Sequence, residues 1–227
     1  NDNYSDINMK IDKKLIKDTD ENILNILPIF DKIATFSSFG MNVLKSKNYN
    51  PIFINHSIDE KIFFKLDKNF LRDFYNIDKN SFICLMIGRN NDINDRKAFR
   101  ENIEGFKKFI EHINLDNIYL IIHPIYFNGE IDLEKLCNEL DISDNIIKVS
   151  SELFDLSDEH INKLYNLADV VLCNSKMEGF GLTSVESQFC DVPVIVTDCS
   201  GLHDNVYYGI KTKPLKTTSV INNINSY

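Results

Sequence analysis

No apolar run in this sequence approaches the roughly 20 residues needed to cross a bilayer. The longest, such as Phe82 to Ile87 and Ile118 to Ile122, have the length of strands, so no transmembrane segment is expected. The opening residues, Asn1 to Lys10, are polar and lack the apolar centre of a secretory signal. Cysteine is sparse and scattered: Cys84, Cys137, Cys173, Cys190 and Cys199 are odd in number and form neither a CxxC pair nor a Cys/His cluster. That argues against a disulfide framework and a zinc site, and a reduced, cytoplasmic setting is expected. Basic residues are outnumbered, with 25 Lys and Arg against 34 Asp and Glu and a net charge of -9. Such a field does not displace counterions from a nucleic-acid backbone, so no nucleic-acid partner is expected, and an anionic ligand would need local cations. Glycine and proline are also few, which argues against a collagen-like chain, and a hydrophobic fraction of 43% argues against disorder.

What is present is the pattern of an α/β protein. A chain of 227 residues accommodates one large domain, or one domain and part of another. From Ser81 onward, short apolar runs alternate with amphipathic stretches, as in βα units stacked into a parallel sheet. Five strands are expected: Phe82 to Ile87, Ile118 to His123, Asn145 to Val149, Val170 to Cys173 and Pro193 to Thr197. Between them, Lys97 to Ile113 places Phe99, Ile103, Phe106, Ile110 and Ile113 along one helical face. Ser157 can cap a helix whose first turn carries Asp158 and Glu159, and Leu133 to Leu140 forms a shorter helix after the Asn128-Gly129 turn. The first 80 residues contain a short strand (Ile33 to Phe36), a helix capped by Ser37 or Ser38, and a second strand (Pro51 to Ile54). With its sheet edges unpaired this reads as the tail of a domain. The expected division is therefore 1–55 and 56–227. Thr217 to Tyr227 are polar and carry no assignment.

The richest stretch runs from Asn174 to Glu186, between the strand ending at Cys173 and a helix beginning near Leu182. Gly179 and Gly181 let the backbone approach a ligand closely, and the first turn of the helix presents free N–H groups to an anion. Glu178 precedes that helix and Glu186 lies about one turn inside it, so the two carboxylates can flank one ligand. Taken alone, GFG is as compatible with an ordinary strand-to-helix turn bearing two glutamates. Likewise Arg89 and Lys97, at a strand end and a helix start, read alone as solvated charges.

The wider pattern resembles one family. Glu178 to Glu186 matches the E-x7-E signature of retaining glycosyltransferases of the family 4 type, within Ser175-Lys176-Met177-Glu178-Gly179-Phe180-Gly181-Leu182 and the downstream Val192-Pro193-Val194-Ile195-Val196-Thr197-Asp198. Leu164-Tyr165-Asn166-Leu167-Ala168-Asp169-Val170 resembles the family's "LY-x-x-A-D-V". Leu85-Met86-Ile87-Gly88-Arg89, followed by Arg96-Lys97, resembles its first nucleotide-domain strand. Asp191 stands where Gly is usual, and Thr183 where Pro is common. Further similarity lies in Leu120 to His123, in Asp31 to Gly40, and in Asn55-His56-Ser57-Ile58-Asp59, which resembles the interdomain "P-H-G-V-D".

The resemblance implies an α/β fold with a Rossmann-like doubly wound parallel sheet, the C-terminal half of a GT-B fold. It also implies transfer of a sugar from a nucleoside diphosphate sugar donor to an acceptor hydroxyl with retention of configuration. Arg89, Lys97 and Glu178 would be catalytic. Gly88, Val149, Gly179, Phe180, Gly181, Leu182, Thr183 and Glu186 would bind the donor, with Glu186 on the ribose, Glu178 on the transferred sugar and backbone around Lys148 to Ser150 at the base. No metal or other cofactor is implied, because cations and helix N–H groups would carry the leaving group's charge. The acceptor, whether glycan, lipid or small molecule, is left open, as are the sugar and the base. The competing expectation is a nucleotide-sugar-binding module without transfer. A Rossmann oxidoreductase fits worst, since no GxGxxG follows Phe82 to Gly88.

Overall fold

The computed structural model describes residues 25–91, 94–113, 115–124, 129–147 and 157–214. They fall into two compact units, one ending at Asn55 and the other running from His56 to Pro214. In the first, a 3-10 turn (Leu27–Ile29) leads to β1 (Ala34–Thr35), α1 (Ser38–Ser46) and β2 (Ile52–Phe53), and the two strands pair in parallel. Ser37 rather than Ser38 is the cap, its Oγ accepting the Gly40 N–H at 3.1 Å.

The second unit contains α2 (Lys68–Phe74), β3 (Phe82–Gly88), α3 (Phe99–His112), β4 (Ile118–Pro124), α4 (Leu133–Glu139), β5 (Ile146–Ile147), α5 (Asp158–Leu167), β6 (Val170–Cys173), α6 (Leu182–Phe189), β7 (Val194–Thr197) and β8 (Gly209–Thr212). Its six strands are all parallel, in the order β5-β4-β3-β6-β7-β8. The chain steps outward from β3 to β5, then returns to lay β6 on the other side of β3. Alternation along the strands feeds two cores. Ile83, Leu85, Val171, Val194 and Val196 pack with Leu71 of α2, Leu164, Tyr165 and Leu167 of α5 and Cys190 just after α6. Cys84, Met86, Leu120, Ile122 and Val170 pack with Phe99, Ile103 and Phe106 of α3 and Leu133 and Leu136 of α4. Helices on both faces make this a doubly wound sheet, with its topological switch between β3 and β6. Ligands of such sheets bind in the crevice beyond the strand ends there. No helix among the described residues is long and apolar enough to cross a membrane.

Two local departures matter. The helix expected from Lys97 begins at Phe99, because Ala98 takes a left-handed conformation (φ 54°) and the Asp95 carboxylate caps the helix, accepting from the N–H groups of Phe99 (2.8 Å) and Arg100 (3.0 Å). Arg96 and Lys97 therefore stand in a turn ahead of α3. The helix α2 and the strand β8 were not expected from the pattern: α2 turns Phe70 and Phe74 outward, and every residue of β8 is exposed, so neither carries a clear burial rhythm.

A buried arginine holds the base of the sheet. Arg72, 3% exposed, donates to the carbonyls of Leu167, Lys79 and Ser81 and to Asp169 Oδ2 at 2.7 Å. Asp169 also accepts the Ile83 N–H at 2.8 Å and pairs with Lys68 at 2.9 Å. One guanidinium thus joins α2, the entry to β3 and the α5–β6 junction.

Candidate functional site

The crevice beyond β3 and β6 brings together Gly88, Lys97, Glu178, Gly181 and Thr183. Gly88 ends β3 and is buried, and the Lys97 stem crosses it, its methylenes 3.5 Å from where a Cβ would stand. Lys97 Nζ meets Glu178 Oε1 at 2.5 Å, and Arg96 Nη1 meets Glu178 Oε2 at 3.1 Å. Arg96 is further tied to the loop after β6: it donates to the Met177 carbonyl at 2.9 Å, while its own carbonyl accepts the Lys176 N–H at 2.8 Å. Glu178 is thus a largely buried carboxylate gripped by two cations. Burial alone would raise its pKa, but the Lys97 charge and hydrogen bond, with Arg96 and Ser175, outweigh it and hold the carboxyl below its ordinary range.

The backbone of Glu178 is fixed from beneath. Its N–H donates to Ser200 Oγ at 2.9 Å and its carbonyl accepts from the Gly201 N–H at 2.9 Å, both in the 3-10 turn Ser200–Asp204. A Cβ on Gly201 would lie 2.1 Å from the Gly179 carbonyl oxygen, so only glycine permits this approach. Gly181 caps α6 in a left-handed conformation (φ 92°) and offers no side chain to the helix. The N–H groups of Leu182 and Thr183, in the first turn of α6, have no intrahelical acceptor and stand open to an anion. Lys97, Glu178, Gly181, Thr183 and Ser184 line one narrow cleft, floored by Met86, Ile87, Phe99 and Cys173.

Glu186 sits one turn inside α6 in a different environment. Tyr165 of α5, fully buried, donates its hydroxyl to Glu186 Oε2 at 2.6 Å. Burial raises the Glu186 pKa, the Tyr165 hydrogen bond lowers it and the Asp158 charge raises it, for a net upward shift. The two glutamates are therefore unlike: one held ionised by cations, the other neighboured by a neutral phenol.

The remaining expected residues are placed as follows. Arg89 is exposed at the end of β3 and joins no ion pair among the described residues. Gly179 and Leu182 are exposed, whereas Phe180 is buried, its ring edge-on to His56 at 4.9 Å and its carbonyl accepting from Asn205 at 2.7 Å. Phe180 offers a ligand backbone at most, and His56 is exposed on the other side of that ring contact. Val149, with Lys148 and Ser150, lies outside the described residues. Sequence reasoning gave no role to Arg96, Tyr165 or the Ser200-Gly201 support. It also missed Asn90, 2% exposed, whose side chain bonds both the N–H and the carbonyl of Ile131 and whose carbonyl accepts the Glu130 N–H, tying the loop after β3 to the approach to α4. Arg96 stood beside Lys97 and Tyr165 within the family-like segment Leu164 to Val170, but nothing local marked their contacts with Glu178 and Glu186.

Comparison with known proteins bears on the fold and the family. Over 152 residues, 67% of its length, the chain is 25% identical to N-acetyl-alpha-D-glucosaminyl L-malate synthase of Bacillus anthracis, of which it covers 36%. The chain spans about a third or less of the length of the curated relatives it matches. Among solved structures it superposes on the C-terminal domain of the glycosyl transferase group 1 protein LpcC from Francisella tularensis (TM-score 0.57, 19% identity, 70% of this chain and 82% of that one). It superposes also on Anabaena Alr3699/HepE in complex with UDP and glucose (TM-score 0.69, 16% identity, 91% of this chain and 55% of that one). These likenesses establish the fold as the C-terminal half of a GT-B architecture. The model of the family "Glycosyl transferases group 1" matches residues 67–210, which contain the whole crevice, and the chain belongs to that family.

Proposed function

We propose that residues 56–227 form the nucleotide-sugar domain of a retaining glycosyltransferase of the family 4 type, and that residues 1–55 belong to the end of its acceptor domain and the linker. The donor is a nucleoside diphosphate sugar, the class of ligand named for the HepE structures, which hold UDP and glucose or UDP-glucose. The observation that carries the reading is Lys97 laid across Gly88 toward Glu178, at the switch point and beside the open N-terminus of α6. A diphosphate in that crevice meets Lys97, the Leu182 and Thr183 N–H groups and, from the rim, Arg89. Glu178 accepts from the hydroxyls of the sugar, Glu186 from those of the ribose, and backbone near Val149 meets the base.

The costly event in transfer is departure of the diphosphate as the bond to the anomeric carbon breaks. Preorganised cations and N–H groups favour that charge without moving a proton, so the reading requires no metal or other cofactor. Glu178 and the diphosphate call on the same cation, Lys97. Donor binding therefore exchanges one anion for another at Lys97 and releases a Glu178 oxygen toward the sugar. Glu178→Ala combined with Glu186→Ala should weaken nucleotide-sugar binding at least tenfold by calorimetry, the size expected when hydrogen bonds to charged groups are lost. Unchanged affinity would remove both residues from the site. Turnover measured with the isolated chain separates a transferase from a module that only binds.

A further inference from the structure

Tyr165 stands out among the buried polar groups because it reaches the site from below and has no role in the function proposed above. It has 0% exposure, its ring is wedged edge-on against Phe63 at 6.1 Å, and its hydroxyl meets Glu186 Oε2 at 2.6 Å. A phenol has a single proton to give, and here the carboxylate takes it. Among the described residues Glu186 Oε1 accepts no hydrogen bond, so one oxygen is pinned and the other is on offer. A glutamate has three rotatable bonds, and a ligand that must order them loses affinity. Glu178 is ordered by two cations. Glu186 has no cation within ion-pairing distance among the described residues, and the phenol takes over that duty.

We infer that Tyr165 is a positioning residue that orients Glu186 to receive the vicinal hydroxyls of a ribose. The inference rests on the reading that Glu186 meets the ribose. It concerns the discrimination between ribonucleotides and their deoxy counterparts, and not affinity in general.

The test is calorimetric binding of UDP, GDP and ADP, each beside its 2′,3′-dideoxy counterpart, to the native chain, Tyr165→Phe and Glu186→Gln. Tyr165→Phe keeps the ring and its contact with Phe63. The native chain should prefer at least one ribonucleotide, and Tyr165→Phe should cut that preference about tenfold while leaving dideoxynucleotide binding unchanged. A purely structural lesion would weaken both ligands together and would overturn the inference. Should Glu186→Gln abolish the preference while Tyr165→Phe keeps it, the inference fails and the ribose reading stands. Should Glu186→Gln keep the preference, or no nucleotide bind the native chain, the ribose reading itself fails. A second measurement needs no variant: in the native chain with ring-labelled tyrosine, the Tyr165 NMR signal should move as Glu186 titrates, and a signal indifferent to that titration would contradict the hydrogen bond.

Discussion

Replacing Arg72 by Met is the sharpest stability experiment the structure offers. Met roughly preserves the aliphatic stem but removes every donor, so the carbonyls of Leu167, Lys79 and Ser81 lose a partner and Asp169 keeps only Lys68 and the Ile83 N–H. Deleting one member of a buried ion pair costs about 3–5 kcal/mol, because the remaining groups stay desolvated without compensation. At about 2–4 °C per kcal/mol for a domain of this size, the melting temperature should fall by roughly 6–20 °C. Scanning calorimetry of both proteins measures it. The pH dependence adds a second signature. Burial pushes the Asp169 pKa up, but Lys68, the Ile83 N–H and Arg72 together bring it below its ordinary value. A depressed carboxylate contributes stability that is fully present above the unfolded pKa, about 3.9, and is lost as pH falls through the folded one. In Arg72→Met that acid-side loss should shrink. A fall in melting temperature under about 2 °C, with an unaltered acid limb, would refute the assignment of Arg72 as the tie among α2, β3 and the α5–β6 junction.

Other outcomes follow from single positions. Gly181→Ala forces an L-residue into a left-handed conformation and puts its Cβ 2.5 Å from Leu202 Cδ2; a loss of about 1–3 kcal/mol from backbone strain is expected in urea titration, together with weaker nucleotide binding. Glu178→Gln frees Lys97 and Arg96 from their resident anion, so inorganic pyrophosphate should bind several-fold more tightly while a nucleotide sugar loses its advantage over the free nucleotide. The buried thiols should be inert in the native protein: burial pushes Cys84, Cys173 and Cys190 up to about 12 and Cys137 up to about 11. Timed alkylation at pH 8 should therefore label Cys199 first, the one cysteine that is not fully buried, and rapid labelling of the other four would contradict the core packing.

The sheet was legible because strands buried on both faces announce themselves as unbroken apolar runs. Val170 to Cys173 has the bounds read from the sequence, and β3, β4 and β7 differ by a single residue. The amphipathic face of α3 and the Ser157 cap of α5 were equally plain, since capping and helical spacing are local chemistry. What escaped was which residues meet. The shift of α3 to Phe99 depends on Asp95 reaching forward to two N–H groups while Ala98 turns left-handed, which spacing does not reveal. At the site, Gly88, Lys97, Glu178 and Gly181 were legible because the family pattern marks them. The second cation Arg96 closes on Glu178 across 82 positions of chain, and Tyr165 reaches Glu186 across 21. Partnerships made by the return of β6 beside β3 are properties of the topology and leave no trace in any one segment.

The central claim is that the crevice between β3 and β6 holds a nucleoside diphosphate sugar, and a thermal-shift titration with UDP-, GDP- and ADP-sugars tests it most directly. A ligand that binds only the folded state stabilises it by about 2.7 kcal/mol at one hundred times its dissociation constant, or roughly 5–11 °C here. The account predicts a saturating rise of that order with at least one of the three, cut to about half or less at the same ligand concentration when Glu178 and Glu186 are both alanine. No rise with any of them, or a rise undiminished by the double substitution, would contradict it.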